Sequence, residues 1–304
     1  MRRVNFAQAA LGVIASQLWP AMTAVAQVDL TGNWVALYHE DAPERLPGPA
    51  LGDYLELPIN EAARLRADSY DPNRISAVVE YQCRPHGGDY SMRGLSVPMR
   101  VREEIDPATQ RLVAIHTRMA WMEMERTIYL DGRPHPPEYA LHTWQGFSTG
   151  VWEGNALVTT TTHFKPSYMR RNGMPRSARA TLTEHWIRHG DYLTVVTYID
   201  DPAFLTEPLV RSSNWVLEPN ARMVPNSCTP VHEVPVPEGT VPHYLPGENP
   251  FSHEFSEFFG VPFEATRGGA HTLYPEFQMT MGEVPTPPQC TRYCICTGLG
   301  NCGG

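Results

Sequence analysis

Between residues 98 and 218 apolar and polar positions alternate with the period of two that marks half-buried β-strands, broken at short intervals by turn signals. The segments 98–105, 111–119, 121–130, 147–153, 156–164, 179–188, 192–200 and 209–217 are predicted strands. Gly154-Asn155 and Gly190-Asp191 join neighbours as tight hairpins. Thr159 to Thr162 and Thr194 to Tyr198 carry the β-branched and aromatic residues that suit a pleated surface. A further strand opens after Leu30 as Thr31-Gly32-Asn33-Trp34-Val35, which brings the total to about nine. Joined mostly in sequence order, these strands form an antiparallel up-and-down meander. Such a meander is stable when it closes into a barrel or folds into a sandwich, because closure removes the exposed edges. The expected fold class is therefore mainly β, with few helices.

Outside the meander the pattern changes. Asn60 to Ser69 reads as a short amphipathic helix capped by Asn60, with Ala62, Ala63 and Leu65 as its apolar positions and Asp71-Pro72-Asn73 as its stop. Residues 219–304 hold 13 of the chain's 29 prolines, so extended wrapping segments are expected there, with one short helix near His253 to Phe259. At the other end, Arg2 and Arg3 precede a mostly apolar stretch from Phe6 to Val25 that closes on Ala24-Val25-Ala26. That order is the signature of an export signal cleaved before Gln27. The organisation read from the sequence is a signal peptide over 1–26, one barrel-like domain with its wrap over 27–275, and a Cys/Gly-rich tail over 276–304.

Composition narrows the function classes. The 304 residues carry 24 basic and 33 acidic side chains, a formal net charge of −9, and Lys165 is the only lysine. With no basic run, the chain is poorly suited to nucleic acid or to anionic membrane surfaces. A mean hydropathy of −0.34 and the lack of a later apolar run argue against a stable membrane span once the signal is removed. The six cysteines are an even count, as expected of disulfides in an oxidising, periplasmic or secreted setting. Cys83 and Cys228, in separate loop-like stretches, suit one long-range staple. Cys290, Cys294, Cys296 and Cys302 crowd the last fifteen residues as C-x3-C-x-C-x5-C, a spacing that fits local disulfides or a soft-metal site for copper or zinc but no standard zinc pattern.

The Gly32-x-Trp34 opening on a first strand, ahead of an antiparallel meander in an exported chain, resembles the lipocalin/calycin superfamily. That resemblance implies a barrel whose Trp34 packs across the closed end and whose interior holds a small apolar ligand. Two further stretches, Asp131-Gly132-Arg133-Pro134-His135-Pro136 and Gly146-Phe147-Ser148-Thr149-Gly150-Val151-Trp152-Glu153-Gly154, are similar to a group of uncharacterised exported bacterial proteins and imply no activity. The chain departs from ordinary lipocalins in its length, its Pro-rich wrap and its Cys tail.

Candidate chemistry follows from strand faces. In 121–126, Met122, Met124 and Arg126 share one face, and Trp121, Glu123 and Glu125 the other. Burial preference turns the Met face inward as an adaptable apolar lining, leaving Arg126 as a buried charge that needs a carboxylate from the protein or a ligand. Arg126 is thus the leading ligand anchor, with Met122, Met124 and Trp34 beside it. The opposite register would present Glu123 and Glu125 as paired carboxylates for acid–base work, alone or with His185. Along 181–187, Thr181, Thr183, His185 and Ile187 alternate with Glu184 and Trp186. If the histidine faces point inward, His116, His163 and His185 converge as metal ligands or general acids and bases. Gly146-Phe147-Ser148-Thr149-Gly150 matches G-x-S-x-G, but a strand follows where a nucleophile elbow needs a helix, so it reads as the Gly-flanked start of a strand. Asp131 to Pro137 reads as a turn leading into a rigid structural segment.

The function expected is an exported binding protein for a small apolar or amphipathic molecule held in the barrel. The alternatives are a barrel enzyme (hydratase, isomerase or hydrolase) working through His/Glu pairs, and a carrier of a metal-binding or modified Cys tail. No cofactor is specified by the sequence.

Overall fold

The computed structural model describes residues 28–37, 49–74, 78–92, 97–225, 227–233 and 235–281. The predicted signal peptide and the four tail cysteines lie outside the described residues. Nine strands close a barrel in the order β1-β11-β10-β9-β6-β5-β4-β3-β2. They are β1 (Gly32–Leu37), β2 (Met99–Ile105), β3 (Leu112–Met119), β4 (Met124–Tyr129), β5 (Phe147–Glu153), β6 (Ala156–Thr162), β9 (Thr181–His189), β10 (Tyr192–Asp200) and β11 (Leu209–Leu217). A separate ribbon, β7 (Ser167–Tyr168) with β8 (Pro175–Arg176), interrupts the walk between β6 and β9. The mainly β, closed-barrel expectation holds, and every predicted strand is present within a few residues.

Two details differ. The pairing of β4 with β5 is parallel, Ile128 opposite Ser148, while all other barrel pairs are antiparallel. Residues 130–146 must therefore travel back along the barrel instead of turning as a hairpin. Their prolines at 134, 136 and 137 suit that extended return. Predicted strand 121–130 also begins late. Met122 takes a left-handed φ of 54°, so Trp121–Glu123 forms a 3-10 turn and the strand starts at Met124.

Helix α1 (Glu61–Asp68) forms as expected, with the Asn60 side chain accepting the Ala63 amide at 3.0 Å. Its buried positions are Ala63 and Ala67, whereas Ala62 and Leu65 face solvent. The helix closes against small residues because Tyr54, Leu57, Phe164 and Leu205 occupy the space around it. A one-turn helix, α2 (Gly88–Ser91), follows in the segment 78–92. In the wrap, α3 (Glu254–Phe259) matches the predicted helix, and α4 (Phe263–Thr266) and α5 (Pro275–Thr280) add two more. α5 crosses the boundary at which the sequence places the start of the tail. Gly52, at φ +78°, lets the Ser252 carbonyl approach so closely that a Cβ would lie 2.3 Å from it, which seats the wrap on the loop before α1.

Two clusters form the core. One lies inside the barrel around Trp34, Met99, Met119, Met124, Leu157, Trp186, Val195 and Trp215. The other, Tyr54, Leu57, Ile59, Phe164, Met169, Met174, Leu182, Ile199 and Leu209 with the small face of α1, packs α1 and the ribbon onto strand ends. Trp34 is fully buried, its indole donates to the Leu30 carbonyl at 3.0 Å, and the Arg188 guanidinium lies 5.4 Å from its ring centre. Cys83 and Cys228 are joined in a disulfide with a sequence separation of 145, the long-range staple expected from their two loop-like stretches. Among the described residues no helix is long and apolar enough to cross a membrane.

Candidate functional site

The barrel interior contains a polar belt, and strand register explains how it is assembled. Thr159 on β6 lies opposite Glu184 on β9, and Glu184 lies opposite Thr197 on β10. Ser148 on β5 lies opposite Thr161, two residues along the same face of β6. All five side chains are buried. Arg126 reaches into this belt from β4. Its Nη2 donates to Glu184 Oε2 at 2.5 Å, Thr161 Oγ1 at 2.7 Å and Thr159 Oγ1 at 3.4 Å, and its Nε donates to Ser148 Oγ at 2.8 Å. Thr159 also donates to Glu184 Oε2 at 2.8 Å. Side-chain exposure is 3% for Arg126 and 0% for Glu184, so both charges lie away from bulk water.

The expectation that an inward Arg126 requires a carboxylate is met from within the chain, by Glu184. One side of the pair is nevertheless uncommitted. Arg126 Nη1 and Glu184 Oε1 are buried and hydrogen-bond to no protein group, and the same is true of the Trp186 and Trp215 indole nitrogens. Buried polar atoms in native proteins nearly always have partners, and leaving one without costs about 1–3 kcal/mol. Of these four, Arg126 Nη1 and the two indole nitrogens are donors without an acceptor, and Glu184 Oε1 is an acceptor without a donor.

A plug covers this belt. Tyr90 and Met92 belong to the same buried cluster as Trp34 and Trp215, and a Cβ on Gly88 would sit 3.4 Å from Arg126 Nη1. The segment is held from several sides. His86 is stacked between Tyr90 at 4.0 Å and Trp121 at 5.1 Å. Its Nε2 lies 3.1 Å from Glu80 Oε1, which Arg171 Nε approaches to 2.9 Å. Burial favours the neutral acid of Glu80, but its neighbours His86 and Arg171 outweigh it and hold the carboxyl below its ordinary range. Asp89 pairs with Arg176 at 3.0 Å, each almost fully buried. Gln145 Nε2 donates to the His86 carbonyl, and the disulfide at Cys83 ties the plug to the wrap.

The other predicted site residues are placed as follows. Trp34 and Met124 are buried in the barrel core, while Met122 sits in the 3-10 turn and packs against that core. Trp121 also packs against the core, contrary to its expected outward face, because the turn takes it out of the strand alternation. Glu125 faces solvent and pairs with Arg118 at 3.3 Å. His185 lies on the outer face of β9, since Leu182, Glu184 and Trp186 take the inner one. Two strands, β5 and β6, separate His185 from Glu125, so those two do not form an acid–base pair. For Glu123 the backbone alone is described. His116 is also outward, its Nε2 2.7 Å from Glu104 and its Nδ1 3.1 Å from Thr127. The histidines at 116, 163 and 185 therefore do not converge, and among the described residues no three His, Cys, Asp or Glu side chains are arranged to hold a metal ion.

His163 belongs instead to a hydrogen-bonded chain outside the barrel. Thr149 Oγ1 lies 2.9 Å from His135 Nε2, and His135 Nδ1 lies 2.7 Å from Thr162 Oγ1. Thr162 Oγ1 is also 2.7 Å from His163 Nδ1, and His163 Nε2 donates to the Pro137 carbonyl at 2.9 Å. Thr162 has one proton to give, so one ring must donate to it and the other accept. Burial, then the proximity of His163, depress the pKa of His135 below the usual imidazole value. The chain pins the return segment 130–146 to β5 and β6, consistent with the structural reading of Asp131 to Pro137.

Sequence reasoning did not assign a role to Ser148, Thr159, Thr161, Glu184 or the plug. The G-x-S-x-G serine is an inward, hydrogen-bonded strand residue and not a nucleophile on an elbow. Comparison with protein families, with characterised proteins and with solved structures finds no match to this chain.

Proposed function

We propose that the protein is an exported, lipocalin-like binding protein whose barrel takes a small amphipathic molecule by its polar end. The observation that carries this reading is the half-committed Arg126–Glu184 pair, whose Nη1 and Oε1 are buried without protein partners. A ligand offering an acceptor beside a donor, such as a primary amide or a hydroxy-carbonyl group, completes both atoms at once. Trp186, Trp215, Met99 and Met124 then supply the apolar lining against which the rest of such a molecule packs. The Cys83–Cys228 disulfide supports folding in an oxidising compartment, and the signal-like N-terminus supports the periplasm or the exterior as that compartment. Because the plug covers the belt, loading and release require residues 86–92 to move.

The test is native mass spectrometry of the exported protein beside its denatured mass, repeated for Glu184→Gln. An organic mass that leaves on denaturation, and whose occupancy falls at least tenfold in the variant, is the expected result. A protein that carries no such mass, and stays bare after incubation with an extract of its own periplasm or medium, overturns the reading.

A further inference from the structure

A second site lies outside the barrel, where the base of the plug, α1 and the β7–β8 ribbon meet. It is a cavity of about 500 Å3, within the size range of small-molecule sites. Its charge is unusual for this chain. Arg66 from α1, Arg84 from the plug and Arg176 from β8 line it, and no acidic residue does. Lys165, the chain's only lysine, does not line the cavity itself but approaches its Trp144 wall, its Nζ 5.1 Å from the centre of that ring. Arg84 lies 5.7 Å from that ring, and Trp144, Tyr168 and Phe204 give the cavity three aromatic walls. Three cations thus line one concavity, with a fourth against its Trp144 wall, in a protein whose net charge is −9.

Acidic neighbours exist behind the walls, but they are engaged. Asp89 faces Arg176, Glu80 lies between His86 and Arg171, and Asp201 accepts the Ser177 amide at 2.7 Å and its hydroxyl at 2.6 Å. Arg66, Arg84 and Lys165 make no ion pair with any acid among the described residues. Two buried polar groups in the lining also have no hydrogen-bond partner. Ser167 Oγ belongs to a residue 8% exposed, and Arg176 Nη1 to one 1% exposed. Gathered like charges repel one another, and a buried guanidinium nitrogen without an acceptor is costly, so the arrangement favours an anionic guest. The aromatic walls favour a flat apolar body on that guest.

We propose that this cavity binds a small aromatic carboxylate. In the bound state the carboxylate accepts from Arg176 Nη1 and Ser167 Oγ–H and is neutralised by Arg84 and Lys165, while the ring lies between Trp144 and Tyr168. This site shares no side chain with the Arg126–Glu184 belt, so the two proposals stand or fall separately.

The experiment is titration calorimetry of the intact, disulfide-bonded protein with 2-naphthoate, its neutral amide 2-naphthamide, and inorganic phosphate. The expected result is naphthoate binding that is at least tenfold tighter than naphthamide or phosphate. It weakens at least tenfold in Arg84→Gln/Lys165→Gln and in Trp144→Leu, and is unchanged in Glu184→Gln. Both changes in the first variant are on exposed side chains, so its fold is expected to survive, and its melting curve verifies this. No naphthoate binding up to millimolar concentration overturns the proposal. Equal binding of the amide, binding as tight to phosphate, or a loss in Glu184→Gln with none in the cavity variants would each overturn it as well.

Discussion

Replacing Glu184 by leucine leaves the Arg126 guanidinium buried at 3% exposure with only hydroxyl partners, Ser148, Thr159 and Thr161. Stranding one member of a buried ion pair costs about 3–5 kcal/mol. The low end applies if the hydroxyls reorient all their lone pairs toward the cation. The high end applies if Nη1, which already lacks a partner, is joined by a second unpaired nitrogen. Arg126→Met costs a similar amount by stranding the carboxylate. The double change Arg126→Met/Glu184→Leu removes both charges, and swaps of this kind are often neutral or stabilising by about 1–4 kcal/mol. A double-mutant cycle should therefore return a coupling of at least ~3 kcal/mol, with the double variant more stable than either single one. Urea unfolding of the oxidised protein reports it, followed by fluorescence of the buried Trp34, Trp186 and Trp215. Glu184→Gln, expected to lose about 1.5–3 kcal/mol because hydrogen bonds to a charged group are lost, serves if the leucine variant does not accumulate. Additive single changes, with a coupling below ~0.5 kcal/mol, would refute the belt as an interacting unit.

Three further outcomes are expected. Replacing Cys83 and Cys228 by serine should lower stability by up to ~5 kcal/mol, the loop-closure value for their sequence separation of 145, read from urea midpoints with and without reductant. The depressed pKa of His135 means that the folded state binds protons less readily than the unfolded chain. Its contribution is complete above the unfolded value near 6.5 and is lost as pH falls toward the folded value, so melting temperature should drop between pH 7 and 5 by less in His135→Gln than in the parent. Gly52→Ala should cost clearly more than Gly132→Ala. Both glycines have φ of +78°, but the first Cβ meets the Ser252 carbonyl at 2.3 Å and the second meets nothing within 4 Å, a contrast that thermal melts measure directly.

The wall of the barrel was legible in the sequence because the period of two survives in almost every strand. Which face turns inward was legible only where one side is plainly apolar. Met124 and Arg126 could be placed because exposed Glu125 separates them. On β9 the signal cancels, with Trp186 on one side and Ile187 on the other, so the inward position of Glu184 was settled by Trp186 pairing with Leu157 and Val195 and not by local pattern. Thr159 to Thr162 carries no facial information at all, being one residue type throughout. The pairing of Arg126 with Glu184 spans 58 residues and depends on barrel closure, which no local window contains. The plug was illegible for a related reason. His86-Gly87-Gly88-Asp89 has loop composition, and its burial follows from distant partners, Trp121 and Arg176.

The disulfide has a mechanical consequence. Strands β2 to β11, and hence all of the barrel wall except β1, lie in sequence between Cys83 and Cys228. Tension applied to the two ends of the chain passes through the sulfur bridge and bypasses those strands, so that only β1 and the flanking segments can be peeled away. The hidden length is the contour of 145 residues, roughly 500 Å at full extension. Oxidised, the protein is a sealed ring that yields little under load. Reduced, the same pull reaches every strand and releases that length, so a single covalent bond decides whether the barrel carries the force.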